Sequence, residues 1–339
     1  MLGAMLDETG KLVLRECPKP FIKSSEVLIK VLAAGICGTD LHIFSGKGYG
    51  KPNIIRGHEF SGKIVEIGSE VKGFKIGDLV AIDPNISCGN CYFCRRGEVH
   101  LCENLKALGV DLDGGFSDYC AVPYDKLYKL PAGVSPEEGA MMEPCACALH
   151  GIEKIKIKPG DTVLVIGGGA LGLILLQLAY IYGASKVFLS EPVKEKREIA
   201  ESFFAHTFDP QKEDVASEIR KLTGVGVDIA IEAVGRADTV ELAINSVRRG
   251  GKVLIFGVAD QKEILNISPF DIYYKEITLM GSFVNPYTNS RALELIANKR
   301  IDVKRIISHK FPLKEIHKAV ETGLSGKALR ILIVWENSE

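Results

Sequence analysis

The sequence predicts a two-domain α/β protein, a β-rich domain followed by a doubly wound parallel-sheet domain, and three observations carry that prediction. At 339 residues the chain exceeds the roughly 250 to 300 at which a single core usually stops growing. Its texture changes near residue 145, from short β-type runs to strands alternating with helices. A glycine loop follows one apolar strand directly and opens a helix, as a phosphate-binding turn must.

The elements follow in order. Up to about residue 140, Glu26 to Ala33, Ser61 to Ile67, Leu79 to Pro84 and Phe116 to Pro123 read as strands, set apart by glycine, proline and charged turns. From about 145 to 283 the predicted strands are Thr162 to Ile166, Lys186 to Ser190, Val227 to Glu232, Lys252 to Phe256 and Ile277 to Gly281. Helices are predicted from Ala170, near Lys194 to Phe203 and near Ala237 to Ser246. Such alternation requires parallel strands with helices on both faces. The last fifty-odd residues hold helices near Thr288 to Asn298 and Leu313 to Thr322 and a strand at Leu329 to Val334, too little for a third domain and read as completing the first. The stretch Val163 to Gly183 carries no charge over about the length of a membrane span. Glycines at a phosphate-loop spacing near its start make it a buried strand followed by a buried helix, and no membrane partner is expected.

A formal net charge of -1, from 42 basic and 43 acidic residues, gives no footprint for nucleic acid or an anionic membrane. Small, neutral or modestly charged partners are favoured. Nine cysteines is an odd number, and the first residues, M-L-G-A-M-L-D-E-T-G, lack a basic region ahead of an apolar core. The cysteines are therefore read as reduced and cytoplasmic.

Four of them, Cys88, Cys91, Cys94 and Cys102, are spaced C-x2-C-x2-C-x7-C. Thiolates so close in sequence close a tetrahedral S4 site around zinc with no open position, which holds a loop together without doing chemistry. Iron-sulfur spacings differ: the bacterial type ends C-x3-C-P and the plant type opens with C-x4-C.

Gly167, Gly169 and Gly172 fit G-x-G-x-x-G after the strand Thr162 to Ile166. Gly167 makes the turn, Gly169 lets the backbone approach a pyrophosphate, and Gly172 lets helix and strand pack closely. The second strand ends at Glu191, whose carboxylate suits both ribose hydroxyls and repels a 2′-phosphate, favouring NAD over NADP. Lys196 is placed to reach the same ribose, while Lys194 and Arg197 keep phosphate tolerance open.

A third constellation is scattered. G-I-C-G-T-D-L-H supplies Cys37, Thr39, Asp40 and His42, G-H-E supplies His58 and Glu59, and M-M-E-P-C-A-C-A-L-H supplies Glu143 and His150. Thiolate, imidazole and carboxylate together suit a zinc ion with one exchangeable position.

With these motifs in hand, the chain resembles the zinc-dependent medium-chain dehydrogenase/reductase family, most like its polyol (sorbitol, iditol) and threonine dehydrogenase branch. G-I-C-G-T-D-L-H, G-H-E-F-S-G, G-D-L-V, the four-cysteine lobe, G-G-F-S-D-Y, the E-P pair at Glu143 and Pro144 and the glycine loop all stand in family order. The resemblance implies a GroES-like catalytic domain from residues 1–144 and 284–339, with a structural zinc lobe at about 85–103. It implies a Rossmann NAD-binding domain at 145–283, and a cleft holding cofactor and catalytic zinc. Cys37 and His58 match family zinc ligands, and Glu59 and Glu143 match two carboxylates of which either can ligate. Cys145 and Cys147 are expected in the core, and Asp40 behind His58. Thr39 matches the hydroxyl that takes the substrate proton and His42 the histidine that passes it to solvent, so Thr39, His42, Glu59 and Glu143 are the expected catalytic set. Two zinc ions per chain and a homotetramer or dimer are implied.

The implied reaction is NAD-linked oxidation of a secondary alcohol, most like a polyol, sugar alcohol or sugar acid, to the ketone. Two departures bear on the substrate. Ile43 stands where animal sorbitol dehydrogenases have a tyrosine, and Val284 where they have a substrate-contacting arginine; Asn285 and Tyr287 are either polar substrate contacts or structural residues. A threonine 3-dehydrogenase-like or butanediol dehydrogenase activity is the alternative. From another class comes a non-catalytic zinc-scaffolded binding protein; a zinc-free quinone reductase of the same superfold is a further alternative, disfavoured because it should lack both metal constellations.

Overall fold

The computed structural model describes residues 1–46 and 51–335. The chain divides into two compact units, one of Met1–Ala146 with the segment from Asn285 onward, the other of Cys147–Val284.

The first unit is built on a seven-stranded sheet. Its path runs Ile307–Pro312, Arg330–Val334, Glu26–Ile36, Glu59–Ile67, Leu79–Ile82 and Leu127–Lys129, with Tyr119–Pro123 also paired to Glu26–Ile36. All pairings are antiparallel except that of Ile307–Pro312 with Arg330–Val334. The 11-residue strand Glu26–Ile36 is the hub. Val27, Leu28, Ile29, Val31, Ala33 and Ala34 along it are 0 % exposed, and two register shifts against Glu59–Ile67 bend it. Phe60, Ile64, Val80, Ile82, Phe116, Ile331 and Ile333 join it in one core. Burying an aliphatic or aromatic side chain of this size contributes about 1.5–3 kcal/mol. The strand expected from Ser61 begins at Glu59, in register with Gly35, so that Glu59 lies on the sheet itself. The hairpin of Leu2–Leu6 and Leu12–Glu16 was not expected from the sequence.

The second unit holds six parallel strands in the order His206–Phe208, Lys186–Ser190, Thr162–Ile166, Val227–Glu232, Val247–Ile255, Thr278–Gly281. Chain order reverses at Thr162–Ile166, the point at which open α/β sheets bind ligands beyond the carboxyl ends of their strands. Val163, Leu164, Val165, Ala230, Ile231, Val253 and Leu254 are 0 % exposed, as strands covered on both faces require. The uncharged stretch read as strand plus helix resolves into Thr162–Ile166 and a helix of 12 residues, Ala170–Ile181. Among the described residues no helix is long and apolar enough to cross a membrane.

Candidate metal and dinucleotide sites

Cys37 closes the central strand and caps the helix Gly38–Phe44, where Asp40 Oδ2 accepts the Cys37 amide at 3.0 Å. His58 and Glu59 follow Gly57, whose φ of +92° and contact with the Phe116 ring leave no room for a side chain. The antiparallel pairing of Gly35 with Glu59 brings the two segments together. One ligand atom each from Cys37, His58 and Glu59 then lies within 4.8 Å of the others. Glu143, near the start of the helix Met142–Ile155, is buried but stands outside this mutual group. Its charge acts on Arg330 and Cys145 nearby.

Arg330 was not foreseen from the sequence. Its Nη1 donates to Glu59 Oε2 at 2.6 Å and to the Ile36 carbonyl at 2.9 Å, with both side chains almost wholly buried. Burial disfavours its charge, but Glu59, Cys37 and Glu143 outweigh burial and raise its pKa. Gly35 is what admits this pair, because a Cβ there would run into Glu59 Oε2. Burial likewise opposes the charged form of His58, yet Asp40 and Cys37 beside it lift its pKa well above the ordinary imidazole value. Thr39 is half-buried with its hydroxyl 3.9 Å from Cys37 Sγ, and His42, three residues on along the same helix, is exposed. Cys145 is 0 % exposed and burial pushes its thiol up, so it stays neutral. A thiolate, an imidazole and a carboxylate converging from one sheet end fit zinc with a further position for substrate or water.

The four-cysteine lobe forms a second cluster. One sulfur each from Cys88, Cys91, Cys94 and Cys102 lies within 4.8 Å of the others. Cys102 Sγ accepts the amides of Cys88 and Asn104, both at 3.3 Å. The backbone amides of Asn90 and Cys91 lower the Cys88 thiol to about 6, while burial raises Cys94 to about 11. Amide donors aimed at sulfur favour thiolate, and an S4 set this tight fits zinc.

In the second unit Gly167 has φ +98°, and a Cβ on Gly172 would collide with the Gly167 carbonyl, so the turn and the close packing both need glycine. Gly169 caps the helix Ala170–Ile181 and has open space where a side chain would be. Glu191 ends the second strand, 5 % exposed, and its two oxygens accept the amides of Gly168 at 2.7 Å and Val193 at 2.9 Å. Lys196 is half-buried on the helix that follows. Arg197 is committed to the carbonyls of Glu191 and Pro192 and to Asp209, and Lys194 pairs with Glu198.

The candidate specificity residues divide. Ile43 is 4 % exposed and belongs to the core. Asn285 is 2 % exposed, accepts from Asn85 Nδ2 at 2.6 Å and donates to Asn289 Oδ1 at 2.8 Å, a structural network. Val284 and Tyr287 both sit at positive φ, +44° and +57°, and Tyr287 is 66 % exposed. For a β-branched residue such as Val284 that φ is a true outlier.

Two family models match. The alcohol dehydrogenase GroES-like domain covers residues 23–132 and the zinc-binding dehydrogenase model residues 170–298. D-arabinitol dehydrogenase 1 of Uromyces fabae is 36% identical over 319 residues, which is 93% of this chain and 91% of that protein. L-threonine 3-dehydrogenase of Pyrococcus horikoshii is 36% identical over 350 residues, 98% of this chain and 99% of that one. A solved structure from Sinorhizobium meliloti 1021, described as a zinc-binding dehydrogenase and bound to NADP, superposes with a TM-score of 0.95 at 39% identity, covering 98% of this chain and 99% of that one.

Proposed function

The chain belongs to the zinc-dependent medium-chain dehydrogenase/reductase family, and from that premise we propose that it oxidises a secondary alcohol of a polyol, sugar alcohol or sugar acid to the ketone, with NAD as acceptor. It is an oxidoreductase with a GroES-like domain and a Rossmann domain. The observation that carries the reading is the convergence of Cys37, His58 and Glu59.

These three residues would hold the catalytic ion, with Glu143 in reserve as a second carboxylate. Zinc bound there supplies Lewis-acid polarisation of the alcohol oxygen. NAD, cradled by Gly167, Gly169 and Gly172, supplies the hydride acceptor. The chain's own part is to remove the hydroxyl proton and to fix the ligands. Thr39, half-buried beside the Cys37 sulfur, accepts that proton, and His42, exposed one helical turn on, releases it to solvent. Arg330 keeps Glu59 from swinging freely, because a carboxylate gripped at 2.6 Å moves only if the ion competes for it. The quartet would hold a second, structural ion. Glu191 favours NAD, with Lys196 beside it; the NADP in the Sinorhizobium meliloti structure is the competing case. The thiolate cluster supports a reducing, cytoplasmic setting.

A panel of D-arabinitol, sorbitol, L-threonine and 2,3-butanediol, each with NAD and with NADP, tests the reading. Turnover of a polyol with NAD and two zinc ions per chain are expected. L-Threonine as the best substrate would move the chain to the second reading, which the Pyrococcus horikoshii relative supports. Two zinc ions with no turnover of any alcohol would leave a zinc-scaffolded binding protein.

A further inference from the structure

The parallel sheet carries a buried charge that its hydrogen bonds do not require. Glu232 closes the strand Val227–Glu232, beside the strand that feeds the glycine loop, and is 0 % exposed. Its Oε1 accepts three donors, the amides of Val234 and Gly235, both at 2.7 Å, and the Thr239 hydroxyl at 2.8 Å. Its Oε2 is buried and has no hydrogen-bond partner among the described residues. Among the described residues no ion pair reaches it: Arg236, the next cation along the chain, pairs with Asp238 at 2.7 Å, and Arg248 with Asp228 at 2.7 Å. The other buried acids at strand ends are better supplied. Glu191 divides its two oxygens between amides, and Asp209 faces Arg197 at 3.2 Å and Lys212 at 3.1 Å. Glutamine would satisfy the three donors at Glu232 equally well, with its NH2 group replacing an oxygen that accepts nothing. A buried carboxylate without a counter-charge is costly, so the charge itself calls for a function.

Its place in the sheet supplies one. A doubly wound fold seats the pyrophosphate at the first glycine turn and the two nucleotide halves on either side of the reversal point. Glu191 stands on the adenosine side, which leaves the nicotinamide half to the side of Val227–Glu232, Val247–Ile255 and Thr278–Gly281. The loop pinned by Glu232 touches the glycine turn: the Ala233 amide donates to the Ile166 carbonyl at 2.9 Å, and a Cβ on Gly167 would lie 2.7 Å from Val234 Cγ2. The Glu232 carbonyl also accepts the amides of Phe256 and Gly257, both at 2.9 Å. Its Oε2 faces Gly257, where a Cβ would come within 2.8 Å of it. The free oxygen is thus turned toward the next strand end on the nicotinamide side.

We propose that the Glu232 carboxylate discriminates between the two redox states of the cofactor: its uncompensated negative charge favours the positively charged ring of the oxidised dinucleotide over the neutral reduced ring. Adenosine and pyrophosphate are common to both states, so their contacts cancel in the comparison. The bound equilibrium is drawn toward NAD+ and the alcohol, and the reduced cofactor leaves more readily. The inference rests on the dinucleotide reading above and adds a residue that acts through space, with no surface of its own for the cofactor to touch.

The test uses the zinc-loaded full chain as wild type, Glu232→Gln and Thr239→Val, each titrated calorimetrically with NAD+ and with NADH. Glu232→Gln should raise the ratio of the NAD+ Kd to the NADH Kd by about tenfold, the order expected for one unit-charge pair about 10 Å apart at an effective dielectric of about 20. Its urea midpoint should stay near that of wild type, because all three hydrogen bonds survive. Thr239→Val removes one donor and keeps the charge, so it should leave the ratio unchanged. A shift below about twofold in Glu232→Gln, an equal loss of both states, or the same shift in Thr239→Val overturns the inference and leaves Glu232 a loop staple. If Glu232→Gln does not fold, the wild-type chain decides: NAD+ should bind about tenfold tighter than the analogue with neutral benzamide in place of the pyridinium, and equal or weaker binding overturns the inference. A wild-type chain that takes only NADP+ and NADPH is compared on that pair. One that binds neither pair overturns the dinucleotide reading, and this inference with it.

Discussion

Glu191 serves the glycine loop before it serves any cofactor. Both carboxylate oxygens already accept backbone amides, so the residue ties Gly168 to the start of the following helix. Glu191→Ala should therefore do two things: raise the kcat/KM ratio of NADP to NAD at least tenfold, measured with both cofactors, and lower stability by about 1–3 kcal/mol in urea unfolding, the cost of stranding donors. An unchanged cofactor ratio would remove Glu191 from selectivity and leave it as a loop staple. Arg330→Leu breaks a buried pair and should cost about 3–5 kcal/mol by the same measurement. Cys37, His58 and Glu59 were legible because thiol, imidazole and carboxylate are chemically conspicuous near glycines. Arg330 was not, since an arginine in a sequence carries no sign that it will be buried. Arg330 also meets its partner across 271 positions of chain. Asn285 stays open in the sequence between substrate contact and structural residue because an amide is polar wherever it stands, and only its burial between Asn85 and Asn289 assigns it to structure.

Among elements, the strands of the second unit were the most readable, because strands covered on both faces are unbroken apolar runs. Val227–Glu232 is also fastened at its start: Asp228 Oδ2 accepts from the amide and hydroxyl of Thr162, both at 2.8 Å, and Oδ1 from Arg248 Nε at 2.7 Å. Burial raises the Asp228 pKa, but these donors prevail and hold it below the usual carboxylate value. The sign follows: a depressed folded pKa stabilises above the unfolded pKa and is lost as pH falls through the folded one. Asp228→Asn should be less stable than wild type above about pH 5, with the difference shrinking toward acid, as thermal melts across pH would register. The three-residue strand His206–Phe208 escaped notice because so few residues give no period, and Ile307–Pro312 because its His309 and Lys310 read as surface. The lobe carrying Cys88, Cys91, Cys94 and Cys102 has little apolar core of its own. Stripping its metal should therefore abolish amide-exchange protection across about residues 88–105, while the sheet of the second unit stays protected.

At the scale of the molecule, one edge of the parallel sheet is open. Among the described residues Thr278–Gly281 pairs on one side only, and the helix Pro269–Lys275 that precedes it in the chain carries Phe270, Tyr273 and Tyr274, 66%, 79% and 53% exposed. Unpaired strand edges and clustered aromatic surface are features that a second copy of a chain covers. Light scattering at micromolar concentration should give a dimer or tetramer, and Tyr273→Glu with Tyr274→Glu should shift it toward monomer; a wild-type monomer would refute the assembly. The two-unit division was legible from the change of texture near residue 145, because alternating and unbroken apolar patterns demand different sheets. The seven-stranded sheet was less so, since its order depends on the return of Arg330–Val334 to lie between Ile307–Pro312 and Glu26–Ile36. That return has a consequence for synthesis. A chain leaves the ribosome amino end first, and the strand that carries the clamp on Glu59 emerges only after the whole of the second unit. The middle unit can fold while translation continues, but the first must wait, half-paired, until its closing strand is released. A chain cut before Arg330 would complete the parallel sheet of the second unit yet lack the buried clamp on Glu59.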